Sequence, residues 1–175
     1  MTSPTRILRE EHQVILRALS LLEGAAARLE SGGALAGEGW WEGLLAWLRD
    51  FADRNHHAKE EEHLFPALGQ AGVPAEGGPV GVMLEEHTEG RALVRAMAER
   101  GGPARAEAAR RYVRLLRAHI DKEDEVLFPL AEAVLDSPTQ ALVARHFEKV
   151  LAEQGPAASI AGAEAALDRL AADLG

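Results

Sequence analysis

Two segments of this chain repeat one another in residues able to bind a metal. The run His56-His57-Ala58-Lys59-Glu60-Glu61-Glu62-His63-Leu64-Phe65-Pro66 returns as His119-Ile120-Asp121-Lys122-Glu123-Asp124-Glu125-Val126-Leu127-Phe128-Pro129. Ahead of each stands a matching triplet, Glu10-Glu11-His12 and then Glu85-Glu86-His87. Each copy therefore offers one histidine followed by a His-x3-Glu. Residues four apart share a helix face, so both side chains of such a pair aim at one spot. A single pair is common on helices, and a lone inward histidine is ordinarily a hydrogen-bonded core residue. The duplicated set is harder to explain that way. Burying these imidazoles and carboxylates without a cation costs on the order of several kcal/mol per unpaired charge. His12, His56, Glu60, His87, His119 and Glu123 are more donors than one tetrahedral zinc uses, and they fit two ions bridged by the two carboxylates. Imidazole suits iron, zinc, copper and nickel, the carboxylates add a preference for harder ions, and zinc could substitute for another metal because affinity alone does not enforce selectivity.

Such a set needs four helices that bring one level of each to a common point, and the sequence supplies them. Ala, Leu, Glu and Arg dominate and no alternating strand pattern occurs. Glycine and proline break the chain at Ser31-Gly32-Gly33, Gly69 to Pro79, Gly101-Gly102-Pro103, Asp136-Ser137-Pro138 and Gly155-Pro156. The first helix is expected to be capped by Ser3, with Pro4 in its first turn. Its inward stripe is Leu8, His12, Ile15, Leu19, Leu22, Ala26 and Leu29. The second helix is expected from Trp40 to Leu68. The third runs from Pro79 to Arg100, with Val80, Met83, His87, Gly90, Val94 and Met97 inward. The fourth runs from Ala104 to Leu135, with Tyr112, Leu115, His119, Glu123, Val126 and Leu130 inward. Two shorter helices, Pro138 to Glu153 and Ala157 to Leu174, follow. The expected fold is all-α: an up-down-up-down four-helix bundle over residues 1–136. A C-terminal helical extension over 137–175 would pack on the bundle or serve oligomerisation, for instance as a homodimer.

Bulk properties exclude several classes. The formal net charge of −9 argues against nucleic acid as a main partner. Arg110, Arg111, Arg114 and Arg117 do not overturn this, because they spread around a helix. No apolar run is long enough to span a bilayer, so no membrane role is expected. Met1 to Arg6 lack the pattern of a signal peptide. The absence of cysteine removes disulfides, iron–sulfur clusters and thiol chemistry, which fits a cytoplasmic location.

Over about residues 3 to 135 these segments resemble the hemerythrin-like family, also called HHE cation-binding domains. The most specific stretches are His56 to Pro66 and His119 to Pro129. The resemblance implies a non-heme di-iron centre, oxo- or hydroxo-bridged, with His12, His56, His87 and His119 as ligands and Glu60 and Glu123 as bridges. It implies O2, nitric oxide or peroxide as the small-molecule ligand. Two positions depart from the oxygen carriers. Arg91 stands where they have a second third-helix histidine, and His119-x3-Glu123 replaces their His-x4-Asp. The chain is accordingly similar to the bacterial-type members, whose roles vary. Those roles include binding or sensing O2 or nitric oxide, enzymatic action on peroxide or O2, and iron storage or iron-centre repair.

His63 lies seven residues after His56 and three after Glu60, which keeps it on the same face of a helix with 3.6 residues per turn. It is expected as a fifth histidine ligand, reaching the iron that His56 does not bind, or else as a core histidine hydrogen-bonded to Glu60 or a backbone carbonyl. His57, about 100° around the helix from His56, is expected at a helix–helix boundary, with a substitute ligand role as the alternative. Tyr112 reads as a core aromatic, with donation to an iron-bound oxygen species as the alternative. Glu11, Glu61, Glu62 and Glu86 read as solvated faces, His146 as surface, and Trp40, Trp41 and Trp47 as packing residues far from the metals.

Overall fold

The computed structural model describes residues 3–32 and 37–174. Gly33 of the first expected break, and Met1 and Thr2, lie outside them. Among the described residues the chain is helical with no strand. Helix α1 is Pro4–Ser31, opened by Ser3, whose hydroxyl accepts from the Arg6 amide, and closed by Gly32 in the left-handed region. Helix α2 covers residues 38–70. It starts as Glu38–Trp47, widens into π-helical turns over Leu48–His57 and Glu60–Leu64, and ends as Phe65–Gln70. Helix α3 is Pro79–Glu99. Helix α4 covers residues 102–134, as Gly102–Lys122, a π-helical turn Glu123–Leu127, and Phe128–Val134. Helix α5 is Ser137–Gln154, and α6 is Ile160–Leu174 after a short 3-10 turn.

The widened turns Glu60–Leu64 and Glu123–Leu127 have a local cause. Pro66 and Pro129 have no N–H, and a proline ring clashes with the carbonyl four residues back. The turn ahead of each relaxes to i→i+5 bonding, with Phe65 N–H on the Glu60 carbonyl and Phe128 N–H on the Glu123 carbonyl. Each Leu-Phe-Pro therefore loosens the helix just after a carboxylate of the repeat. More residues per turn also rotate everything downstream away from its 3.6-residue phase.

Polar links fix helix directions. Between α1 and α4, Thr5 reaches Glu132, Glu23 pairs with Arg117 and Glu30 with Arg110. Between α2 and α3, Glu61 meets His87 and Asp53 meets Arg91. Between α3 and α4, Glu86 meets His119 and Arg105 donates to the Met97 carbonyl. In each pair one number rises as the other falls, so these neighbours are antiparallel. Arg110, Arg111 and Arg117 are all engaged by carboxylates of adjacent helices, which leaves little of the basic run for another partner.

The interior forms two apolar clusters. One gathers Leu19, Leu22, Trp41, Leu44, Met97 and Leu116. The other gathers Leu8, Leu64, Phe65, Met83, Phe128 and Phe147. Helix α5 contributes Val143 and Phe147 to the second. Helix α6 lays Ala163 and Leu167 on the first, where Trp47 and Trp40 donate their indole N–H to the carbonyls of Ala163 and Leu170. Val126, expected inward, is 55% exposed. It sits inside the widened turn that the 3.6-residue reading did not contain. No helix among the described residues is long and apolar enough to cross a membrane.

Candidate metal centre

A buried polar layer crosses all four bundle helices. His12, His56, His57, Glu60, His87, His119 and Glu123 are each at most 4% exposed. They form two groups that share Glu60. One is His12, His56, Glu60 and Glu123, and the other is His57, Glu60, His87 and His119, with donor atoms in each group within 4.8 Å of one another.

The carboxylates lie between the groups. Glu123 has one oxygen 3.1 Å from His12 Nε2 and the other 3.2 Å from His119 Nε2. Glu60 has one oxygen 3.6 Å from His56 Nε2 and the other 3.4 Å from His87 Nε2. Each glutamate thus offers one oxygen to either side. Glu60 has no hydrogen-bond partner on either oxygen, and Glu123 Oε1 and both ring nitrogens of His57 also lack one. His57 Nδ1 comes no nearer to Asp53 than 3.4 Å, too long for the hydrogen bond that would satisfy it.

The outer nitrogens are held by a second ring of carboxylates. Nδ1 of His12 lies 2.9 Å from Asp124, and Nδ1 of His56 2.8 Å from Glu11. Nδ1 of His87 lies 2.7 Å from Glu61, and Nδ1 of His119 2.8 Å from Glu86. A carboxylate only accepts, so each Nδ1 donates and each Nε2 points inward, where a metal could take the place of any proton it carries. The Nε2 atoms of His87 and His119 are only 3.2 Å apart. One of the two must carry a proton for this contact to be a hydrogen bond, and a metal would take that proton's place.

The electrostatics agree. Burial opposes charge on His12, but Asp124 and Glu123 outweigh it and raise its pKa to about 9. His119 likewise rises to about 9 against burial, through Glu123 and Glu86. Burial drives His56 down to about 4, and drives His57 well below the usual range with help from His87. Burial and the neighbouring Glu123 carboxylate push Glu60 well up. Glu123 is held well down despite burial, by His119 and His12. The layer is an excess of buried donors in search of positive charge.

The repeat folds as an approximate internal two-fold. Glu11, His12, His56, Lys59, Glu60 and Glu61 occupy the roles of Glu86, His87, His119, Lys122, Glu123 and Asp124. Glu11 grips His56 and Lys59 as Glu86 grips His119 and Lys122. Glu61 serves the other half's His87 as Asp124 serves the other half's His12. Glu11, Glu61 and Glu86 are therefore not the solvated faces expected, and Glu11 is 3% exposed. The overlooked signal is that the repeat preserves a lysine and four acidic positions beyond the inward six.

His57 and His63 also differ from expectation. His63 is not brought into either group. Its ring lies 4.8 Å from that of His146 on α5, partly exposed. The two widened stretches between His56 and Leu64 turn it off the inward face. The same widening reduces the angle between successive residues, so His57 joins His56 inside. There its ring stacks on His87 with centroids 3.8 Å apart. Ile120 stands at the matching place in the second half, so His57 makes the centre unequal. Arg91 turns away from the layer to a two-pronged pair with Asp53 and a bond to Glu61. Tyr112 is buried, and its hydroxyl has no hydrogen-bond partner among the described residues. Trp40, Trp41 and Trp47 pack in the cluster away from the layer.

A helical bundle crossed by a buried layer of histidine and glutamate defines a class of cation-binding proteins. The chain belongs to the hemerythrin HHE cation-binding domain family, whose pattern matches residues 3–131. It is similar to uncharacterized proteins of Mycobacterium bovis and of two strains of Mycobacterium tuberculosis, at 28% identity over 85% of this chain. The chain spans 60% of the length of those relatives. No solved structure matches it.

Proposed function

We propose that this chain is a di-iron protein that binds or senses O2 or nitric oxide inside the bundle. His12 and His56 would hold one ion, His57, His87 and His119 the other, and Glu60 and Glu123 would bridge them. His57 replaces His63 in the ligand set first expected. The observation that carries the reading is Glu60, buried between the inward Nε2 atoms of His56 and His87 with no hydrogen-bond partner on either oxygen. A satisfied core would not show this. Five imidazoles with two carboxylates suit iron better than the harder magnesium or calcium, whose ligands are oxygen. The bound metal would supply reversible electron donation to a diatomic ligand. The protein's part is to fix the imidazoles through Glu11, Glu61, Glu86 and Asp124 and to keep bulk water out with the two apolar clusters.

An enzyme acting on peroxide, or an iron store, would use the same residues. Anaerobic reduction followed by rapid mixing with O2 separates them. A long-lived oxygenated spectrum that reverses on removing O2 supports the binding role. Immediate conversion to a stable oxidised form without reversal contradicts it. The metal assignment is tested by His57→Ala and His63→Ala. The first is expected to lose metal, and the second to retain two ions per chain.

A further inference from the structure

One face of the polar layer is reached from outside by a cavity of about 260 Å3. Its inner wall is His57 and Tyr112, and its mouth carries Arg49, Arg91 and Arg95 with a single carboxylate, Asp53. Arg91 is neutralised by Asp53 and Glu61. Arg49 and Arg95 are exposed and have no ion-pair partner among the described residues. In a chain of net charge −9, this mouth is a local excess of cations.

The cavity is also specific to one half of the repeat. The positions matching Asp53, His57 and Arg91 in the other half are Leu116, Ile120 and Leu16, which are apolar. Leu116 and Ile120 are buried in the core. Gly90 helps to keep the space open, since a Cβ there would already touch Tyr112 and Leu116 at 3.6 Å. The Tyr112 hydroxyl, without a partner, is a free donor for something that enters.

We propose that this cavity is a port for small anions, such as nitrite, azide or superoxide, and that Arg49 and Arg95 draw them toward His57 and the metal centre. A cleft lined by one sign of charge with low-dielectric walls raises local counter-ion concentration and association rates. The anion would exchange water for the Tyr112 hydroxyl and the arginine mouth, with His57 between it and His87. This rests on the di-metal reading for what lies beyond His57, but anion binding in the cavity does not.

Two experiments test it separately. Azide association with iron-loaded protein is followed by absorbance at low and high salt, in wild type and in Arg49→Glu/Arg95→Glu. Neither residue touches the metal layer, so metal content should be unchanged. The expected result is an association rate lowered about tenfold or more at low salt, with the difference closing at high salt. Association of neutral nitric oxide should be unaffected. Equal azide rates in the two proteins at low salt overturn the proposal. Crystals of zinc-loaded protein soaked in bromide give the second readout. An anomalous peak is expected between Arg49, Arg95 and Tyr112, and its absence at high bromide would also overturn the port. Bromide in the cavity with no azide reaction in either protein would uphold the anion site and count against the open di-iron centre.

Discussion

Glu11 and Glu86 occupy the same place in the repeat, and pattern alone predicts equal consequences for their loss. Their surroundings predict otherwise. Glu11 and Lys59 have side chains 4% and 3% exposed, and Glu11 also receives His56 Nδ1 and the Asn55 amide. Glu11→Gln keeps the volume but leaves the Lys59 ammonium buried without a counter-charge. Removing one partner of a buried pair costs about 3–5 kcal/mol. In a chain of this size each kcal/mol lowers the melting temperature by roughly 2–4 °C, so the expected fall is about 6–20 °C. Glu86 is 16% exposed and its Lys122 42%, so in Glu86→Gln the lysine swings into water. That loss is about 1 kcal/mol or less, a fall of no more than about 4 °C. The assay is thermal unfolding of metal-free wild type and both variants under chelation, which separates this effect from metal binding. Equal shifts, or a larger one for Glu86→Gln, would refute the reasoning from burial.

Further outcomes follow from the same layer. His119→Ala should lower metal content sharply while His146→Ala leaves it at the wild-type level, as checked by metal analysis, because His146 lies in neither metal-binding group and its ring packs near His63. Chelation should lower the melting temperature, since metal binds only the folded chain; at a thousandfold excess over the dissociation constant the linkage is about 4 kcal/mol, or roughly 8–16 °C in calorimetry. Metal uptake should release protons at pH 7. His12 and His119 titrate near 9 in the metal-free protein, so both carry protons at pH 7 that a metal must displace. A pH-stat should record about two protons per chain, with affinity climbing as pH rises toward 9 and falling in acid.

Much of this was legible in the sequence because duplication exposes intent. His12, Glu60, His87 and Glu123 could be paired across the repeat, and the stripes Leu8 to Ala26 and Val80 to Met97 follow the ordinary helical period into the interior. Inward residues on α3 needed no correction, because α3 keeps normal turns. The residues assigned to the wrong helix face, His57, His63 and Val126, all lie on α2 and α4, where the helix widens into π-helical turns. His63 and Val126 were assigned by a 3.6-residue wheel through turns bonded i→i+5, and His57 was turned away by the same wheel. Pro66 and Pro129 were visible, but how a bundle absorbs a mid-helix proline depends on what packs beside it. Glu11, Glu61 and Glu86 look like surface residues because a glutamate beside a ligand is read as solvated until the histidine it serves, on another helix, is known. The cavity above His57 is of the same kind, assembled from α2, α3 and α4.

The most direct test is an anomalous diffraction experiment at the iron edge on crystals of iron-replete protein, with iron counted per chain in the same preparation. Two iron peaks are predicted between Glu60 and Glu123, one beside His12 and His56 and the other beside His57, His87 and His119, with His63 remote from both. One peak, none, or a peak at His63 and His146 would contradict the account.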